Sequence, residues 1–457
     1  MRVTGRTVKR TVAGEEVAPF VPYPLPPRDP PLAVDGARAA LLTRAEQALA
    51  RLEIAGAMVP SVDWFIYAFV RKEAVLSSQI EGTQATLIDL LEFEAGQDVR
   101  ATDDVREVCN YLDATRYARG QLESERGLPL SMRLLNEAHR RLMRGVRGAH
   151  KQPGEVRRSQ NWIGGTRPAN AAFVPPPPEE LPALIGQLEG YLDARDGLPT
   201  LVRIGLAHAQ FETLHPYLDG NGRIGRLLIT LLLGHWRLLS APLLYLSLFF
   251  KRHRPEYYRL LDAVRKHGDW EAWTDFFLEG VTTIADEAVA TAREVFTLVN
   301  ADRERLLAAG SASVMAMRLM ERLPMHPIVS IPTVVRLLKT TKPTAGKAVR
   351  VLESLHVLTE TSGKQRDRTY AYAAYLEKLR AGTDIEPHPT ALVRAVGSSV
   401  TPARAPRASA ARPVAARTRA RPPGSAAAGN CDTSVRCAGA RAHRCVPGRS
   451  SARSRAG

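Results

Sequence analysis

The chain has 457 residues, 45% hydrophobic and 24% charged, which is room for two or three globular domains and unlike a disordered or membrane-embedded composition. Its formal charge of +16 suggests nucleic acid until the charge is located. His388 to Gly457 holds thirteen Arg, no Lys and one acid, Asp432, leaving 50 basic against 46 acidic residues in the preceding chain, so that body is nearly neutral and its charge implies no polyanionic partner.

Met1 to Asp35 lacks the apolar core of a signal peptide and contains VPYPLPPRDPP, so residues 1–35 are expected to form an extended proline-rich arm. Helical periodicity follows: Ala40, Leu41, Leu42, Ala45, Leu49 and Leu52 define one helix, and Trp64 to Glu81, Val105 to Leu122 and Met132 to Met143 define three more. An all-α body results, with a helical region over 36–128. Near the end of the second helix, Glu73 to Thr83 reads EAVLSSQIEGT. Ser77 and Glu81 are four residues apart and share a helical face, and Gly82 suits a helix C-terminus. Taken alone, this is also what an ordinary helix end looks like.

Gly154 to Pro178 contains two β-prone runs, Gln160 to Ile163 and Ala171 to Val174, separated by Gly164, Gly165 and Pro168, which predicts a hairpin. Leu201 to Leu214 has helical apolar spacing and should stop before Pro216, setting His215 at its exposed edge. The twelve residues from His215 to Arg226 then read HPYLDGNGRIGR. Their chemistry suits a triphosphate. A neutral histidine can take a proton near pH 7, and Asp219 can hold Mg²⁺. The backbone N–H groups of Gly220, Asn221 and Gly222 can cradle phosphate at a helix N-terminus, while Arg223 and Arg226 supply forked charge. Ile224 to Leu239 is too short and too polar to span a bilayer and reads as a buried helix. Tyr257 and Tyr258 follow in a further helical stretch, where an aromatic pair is as readily core as pocket.

From Met315 to Leu379 a second module is expected. Ile331 to Leu338, a turn from Lys339 to Pro343, and Thr344 to Leu355 form a helix-turn-helix pattern, and the runs Val357 to Thr361 and Arg368 to Tyr372 flank Ser362-Gly363-Lys364 as a wing. Lys339, Lys342, Lys347 and Arg350, with Lys364, Arg366 and Arg368, are placed to meet phosphates; such modules serve DNA binding and protein docking alike. The Ala/Arg/Pro/Ser/Gly-rich tail over 383–457 cannot bury enough apolar surface and is expected to be disordered, or to reflect a GC-rich gene read past a frame error. Cys431, Cys437 and Cys445 lie in it with no common zinc or disulfide spacing. Cys109 stands alone in the body, which suits a reducing cytoplasm. There is no internal repeat and no membrane segment.

The pattern His-Pro-aromatic-x-Asp-Gly-Asn-Gly-Arg-x-x-Arg resembles the signature of the Fic domain, and Ser77-x-x-x-Glu81-Gly82 resembles that family's inhibitory helix motif. Tyr217 stands where the family usually has Phe, and is expected to pack alike with its hydroxyl near the surface. The resemblance implies a fold class that is mainly α: a Fic-type helical core over 129–285 with a small β-hairpin flap, then a winged helix-turn-helix over 300–382 and the disordered tail. It implies transfer of AMP from ATP to a Tyr, Ser or Thr hydroxyl of a target protein, including the chain itself, with Mg²⁺ on Asp219 and His215 as the base. Gly220, Asn221, Gly222, Ile224 and Gly225 would line the nucleotide, Asn221 and the loop amides taking the α-phosphate, Arg223 the β-phosphate and Arg226 the γ-phosphate. Trp162, Ile163, Gly164 and Gly165 of the flap would border the nucleotide, and Tyr257 and Tyr258 its adenosine. Arg265, where some relatives have Asn, leaves base selectivity open. Ser77, Glu81 and Gly82 would form the inhibitory element, Glu81 pairing bidentately with Arg226. Transfer of another phosphate-containing group, removal of AMP, a DNA-binding regulator with a nucleotide-sensing core, and a homodimer stay open.

Overall fold

The computed structural model describes residues 2–58, 62–96, 102–194, 196–309 and 314–385. Of the tail expected over 383–457, residues 386–457 with the three cysteines lie outside the described residues, while Thr383 is buried against the body.

The first departure from expectation is the N-terminal arm. It pairs with itself: β1 (Gly5–Thr7) runs antiparallel to β4 (Phe20–Pro22), and β2 (Arg10–Val12) to β3 (Glu15–Val17). Ala13 and Gly14, both at positive φ, make the tight turn between β2 and β3, which is the signal that the proline-rich stretch obscures. Arg2 pins the arm to the body through Gly268 O at 2.7 Å and Glu271 at 2.8 Å.

The helical body follows the periodicity closely. Helix α1 (Gly36–Met58) packs along α11 (Trp270–Ala308), while α2 (Val62–Ile80) lies against α4 (Asp103–Glu123) and α9 (Ser247–Arg252). Helix α3 (Leu87–Glu94) was not foreseen; Thr86 and Asp89 form a capping box at its start. Ser131 caps α5 (Met132–Leu142), and α6 (Leu181–Asp193) leads to the central pair α7 (Thr200–Leu214) and α8 (Asn221–His235).

Every residue of α7 from Leu201 to Leu214 is buried, so its polar groups need internal partners. Arg203 donates to Tyr191 O at 2.7 Å, and His208 sits between Gly225 O at 3.0 Å and the Tyr257 hydroxyl at 2.9 Å. Helix α7 stops at His215, whose φ of +48° ends the helical turn just before Pro216. Helix α8 begins at Asn221, three residues before the apolar run, because Gly220 at φ +74° turns the chain into it. The signature is therefore the junction between two buried helices.

Helix α10 (Arg254–His267) precedes α11, whose 39 residues extend about 58 Å. The boundary expected between 285 and 300 falls inside α11, so one continuous helix carries the chain from the core into the C-terminal module. There α12 (Val314–Met320), α13 (Ile331–Leu338) and α14 (Lys342–Ser354) pack together beside a sheet ordered β5 (Ile328–Ser330), β7 (Thr369–Ala371), β6 (Thr359–Glu360), and α15 (Ala373–Arg380) returns to α11. No helix among the described residues is long and apolar enough to cross a membrane.

Candidate active site

His215 is half-buried at the α7–α8 junction, its ring against the Glu212 backbone. Burial, reinforced by the Arg157 and Arg265 guanidinium groups, pushes its imidazole down to about 3, so the ring is neutral at pH 7 with a lone pair to offer. Its left-handed backbone is locked by Arg157, which donates from Nε to His215 O at 2.9 Å and from Nη2 to Pro176 O at 2.6 Å. Arg157 is fully buried, and nothing in the sequence around it marks this duty.

The turn is braced from within. Asn221 Nδ2 donates to Tyr217 O at 2.7 Å, and Tyr217 N donates to Asn221 Oδ1 at 2.8 Å. Its oxygen and one of its two Nδ2–H groups thus brace the loop. The expectation for Tyr217 is corrected: its ring is fully buried, and its hydroxyl donates to Asn136 Oδ1 at 2.8 Å instead of lying near the surface. The ring stacks on His139 at 3.9 Å. His139 accepts Gly154 N at Nδ1 (2.8 Å), so its Nε2–H donates to Asp219 O at 2.9 Å. Burial holds this second histidine down to about 4 and hence neutral.

The Asp219 carboxylate receives Gly220 N at 2.7 Å and the Lys151 ammonium at 2.9 Å. Burial alone would raise its pKa, but Lys151, the Gly220 N–H and Arg223 outweigh it and hold the carboxyl below the usual range. Lys151 was missed, as it lies 68 positions away in an unpatterned loop. Among the described residues no three His, Cys, Asp or Glu side chains cluster to hold a metal. A lone carboxylate nevertheless fits Mg²⁺, which binds through one or two carboxylates and takes its other ligands from phosphate and water.

Arg226 is buried at the base of the turn. Its Nε donates to Ser77 Oγ at 2.9 Å, and its Nη2 donates to Ser77 O at 2.8 Å and Glu81 Oε1 at 2.7 Å. The expected pairing forms, but not as a bidentate fork: Ser77 supplies the second arm. Burial disfavours the charge, yet Glu81, Tyr257 and Glu212 more than offset it and Arg226 stays cationic. Glu81 lies one residue beyond α2, and Gly82 turns away at φ +96°. A Cβ on Gly222 would come within 2.2 Å of Glu81 Oε1, and one on Gly225 within 2.2 Å of Glu212 Oε1. These two glycines therefore admit carboxylates close to the start of α8, a use of small residues beyond phosphate approach. Ile224 is core.

The flap is slighter than expected: a single bridge joins Ile163 to Phe173, with Ile163 N donating to Phe173 O at 2.8 Å and the return bond at 3.1 Å. Gly164 and Gly165 are exposed at positive φ, and Trp162 is half-buried. Asn161, just before this tetrad, is the residue that reaches the turn, at 3.4 Å from Tyr217 O. Phe20 N of the arm donates to Val174 O at 3.0 Å, so β4 lies against the flap. Arg265 stacks over Phe173 at 3.8 Å and bonds the end of α7. Tyr257 is core, its hydroxyl held by His208, whereas Tyr258 is exposed. Of the tyrosine pair, only Tyr258 presents surface.

Comparison with known proteins finds similarity over part of the chain. The Fic/DOC family profile matches residues 129–233, and the Fic/DOC family N-terminal profile matches 39–119. The chain is thus a Fic-domain protein, with an N-terminal Fic region ahead of the domain. It is similar to the protein adenylyltransferase Fic of Culex quinquefasciatus (31% identity over 208 residues, 44% of this chain and 38% of that protein). It is likewise similar to the protein adenylyltransferase Fic of Drosophila grimshawi (29% over 208 residues, 44% and 39%). The chain spans about two fifths of the length of these relatives. Among solved structures, a Fic family protein from Desulfovibrio desulfuricans aligns over 75% of this chain and 98% of its own at 21% identity with a TM-score of 0.49. Fic-1 from C. elegans aligns over 56% and 74% at 19% identity, with a TM-score of 0.44.

Proposed function

We propose that the chain is a protein adenylyltransferase, transferring AMP from ATP to a hydroxyl of a target protein and restrained by Glu81. The observation that carries this reading is the contact of Glu81 and Ser77 with Arg226, on the helix that follows a turn whose other end bears a neutral histidine. Gly222 lets the carboxylate come this close, and its withdrawal would leave a buried guanidinium ready for another anion.

In this reading the imidazole of His215 takes the proton from the target hydroxyl as its oxygen bonds to the α-phosphorus; the bond from that phosphorus to the bridging oxygen breaks and pyrophosphate leaves. The bound Mg²⁺ would neutralise phosphate charge. Asp219 would hold it, and Lys151 would exchange that carboxylate for phosphate. The backbone N–H groups at the start of α8 receive the α-phosphate, Arg223 the β-phosphate and Arg226 the γ-phosphate. Positioning and charge do most of the work. The lone Cys109 of the body supports a cytoplasmic setting. The test is mass spectrometry of the Glu81→Gly protein incubated with ATP, Mg²⁺ and host lysate. A mass gain equal to AMP on a hydroxyl side chain is expected, and a different phosphate-containing adduct would replace the reading with transfer of that group.

A second reading concerns the C-terminal module, for which we infer a winged helix that meets DNA. Lys339, Lys342, Lys347, Arg350, Lys364, Arg366 and Arg368 are all exposed on α13, α14 and the β6–β7 loop, and none forms an ion pair among the described residues. A salt-dependent mobility shift that vanishes without residues 315–379, together with no protein labelling from ATP, would make this the main function.

A further inference from the structure

Arg223, the first arginine of the signature, is as buried as Arg226 but is held by a different acid. Its Nη1 donates to Glu107 Oε2 at 3.2 Å, and Glu107, on α4, has only 2% of its side chain exposed. That carboxylate is itself held on every side. The Thr83 hydroxyl donates to Oε2 at 2.9 Å, and Arg147 Nε donates to Oε1 at 3.1 Å. Thr83 is buried two residues after Glu81, so the acid is moored to the end of the inhibitory segment.

The remaining donors of Arg223 are little used. Its Nε is buried without a partner among the described residues, and Nη2 lies 3.8 Å from Met143 Sδ and 4.0 Å from Asp219 Oδ1. A guanidinium has five N–H groups in a rigid fork, and burying most of them unmatched is costly. Anchoring one edge while leaving the other unmatched, on the Asp219 side of the turn, is what a cation set to receive an anion requires.

We propose that Glu107 is a positioning residue that orients Arg223 toward the β-phosphate of the nucleotide, an inference that rests on the adenylyltransferase reading for the identity of the anion. Glu81 withholds one arginine; Glu107 aims the other. The two acids differ in placement: Glu81 is 34% exposed at a helix end, whereas Glu107 is enclosed between α4, Thr83 and Arg147.

The test uses the full chain carrying Glu81→Gly, and reads equilibrium binding of ADP and AMP by calorimetry with Mg²⁺ present. Adding Glu107→Gln is expected to weaken ADP binding about tenfold, the scale of a lost charge-assisted hydrogen bond, and to leave AMP binding unchanged because AMP lacks the β-phosphate. Glu107→Asp, which keeps the charge but withdraws the oxygens, should weaken ADP binding in the same sense by less, and serves if the glutamine variant does not fold. With Arg223→Gln also present, Glu107→Gln should change ADP binding no further. Equal losses for ADP and AMP, no loss for either, or full additivity with Arg223→Gln would overturn the proposal. A Glu81→Gly chain that binds ADP yet modifies no protein would sink the transfer reading alone, with the ADP-to-AMP comparison still deciding Glu107; a chain that binds neither nucleotide would sink both.

Discussion

Arg223 and Arg226, at the start of α8, are buried and each faces a carboxylate from the N-terminal helices, Glu107 and Glu81. Lys342, Lys347 and Arg350, spread along α14, are exposed and form no ion pair among the described residues. Both helices carry clustered positive charge, but the physical situations are opposite. A buried guanidinium without partners costs several kcal/mol, so a chain keeps one only where an acid, an anion or, as for Arg157, a set of carbonyl oxygens completes it. An exposed lysine costs almost nothing and carries little information by itself. In the proposed reading the first region is a site under control, and the second is a surface that answers to salt.

The comparison breaks most sharply at His215. The His215→Ala protein, in the Glu81→Gly background, is expected to lose labelling from α-labelled ATP by roughly 10²–10⁴-fold, the usual weight of a positioned general base. Unaltered labelling would remove the histidine from the chemistry and leave the arginines as mere nucleotide ligands. Next in size is Glu81→Gly itself. Freeing Arg226 should raise labelling on the order of tenfold or more, with Ser77 still bonded to Nε and so limiting the gain. A chain whose labelling is indifferent to Glu81 would show that the buried pair is structural.

The course of the signature turn was legible in the sequence because its parts are local: Pro216 stops α7, the glycines permit the bend, and an apolar run buries α8. Glu81 was legible only through the resemblance, because the spacing of Ser77 and Glu81 by itself looks like an ordinary helix end; in the fold both meet Arg226. What escaped was set by distance along the chain. Arg157, Lys151, His139 and Glu107 lie between 58 and 116 positions from the residues they hold, in segments whose spacing says only helix or loop. The bracing role of Asn221 was missed because a phosphate-facing amide and a loop-bracing amide look alike until the backbone of Tyr217 is seen beside it. The arm was misjudged because proline-rich sequence hides strands that pair only through the Ala13-Gly14 turn.

A quieter probe of the buried region is Glu212, which lies under Gly225 on α7. Burial pushes its carboxyl up to about 7 despite Arg226, so its folded-state value lies above its unfolded one. The folded chain therefore holds a proton there that the unfolded chain releases between about pH 4.5 and 7, and the corresponding stability is full below that window and lost as pH rises through it. Glu212→Gln removes this dependence. Urea unfolding should show the variant gaining about 2–3 kcal/mol relative to the parent between pH 5 and pH 8. An identical difference at both pH values would mean that Glu212 is ionised in the fold, and that the start of α8 carries more negative charge than burial allows.

The smallest effect is expected where charge is cheap. Lys347→Ala with Arg350→Ala should change unfolding stability by less than about 0.5 kcal/mol per site and leave labelling by the Glu81→Gly protein unchanged, because neither side chain is buried or paired. The same pair should weaken binding to duplex DNA about equally for unrelated sequences, and lower the slope of log affinity against log salt by about two. Phosphate contacts position a protein without reading bases, so a sequence-dependent loss would assign these side chains to the major groove instead. A fall in labelling, with DNA absent, would contradict the division drawn between the two helices: it would require the exposed charges of α14 to act through α11 on the buried ones at the start of α8.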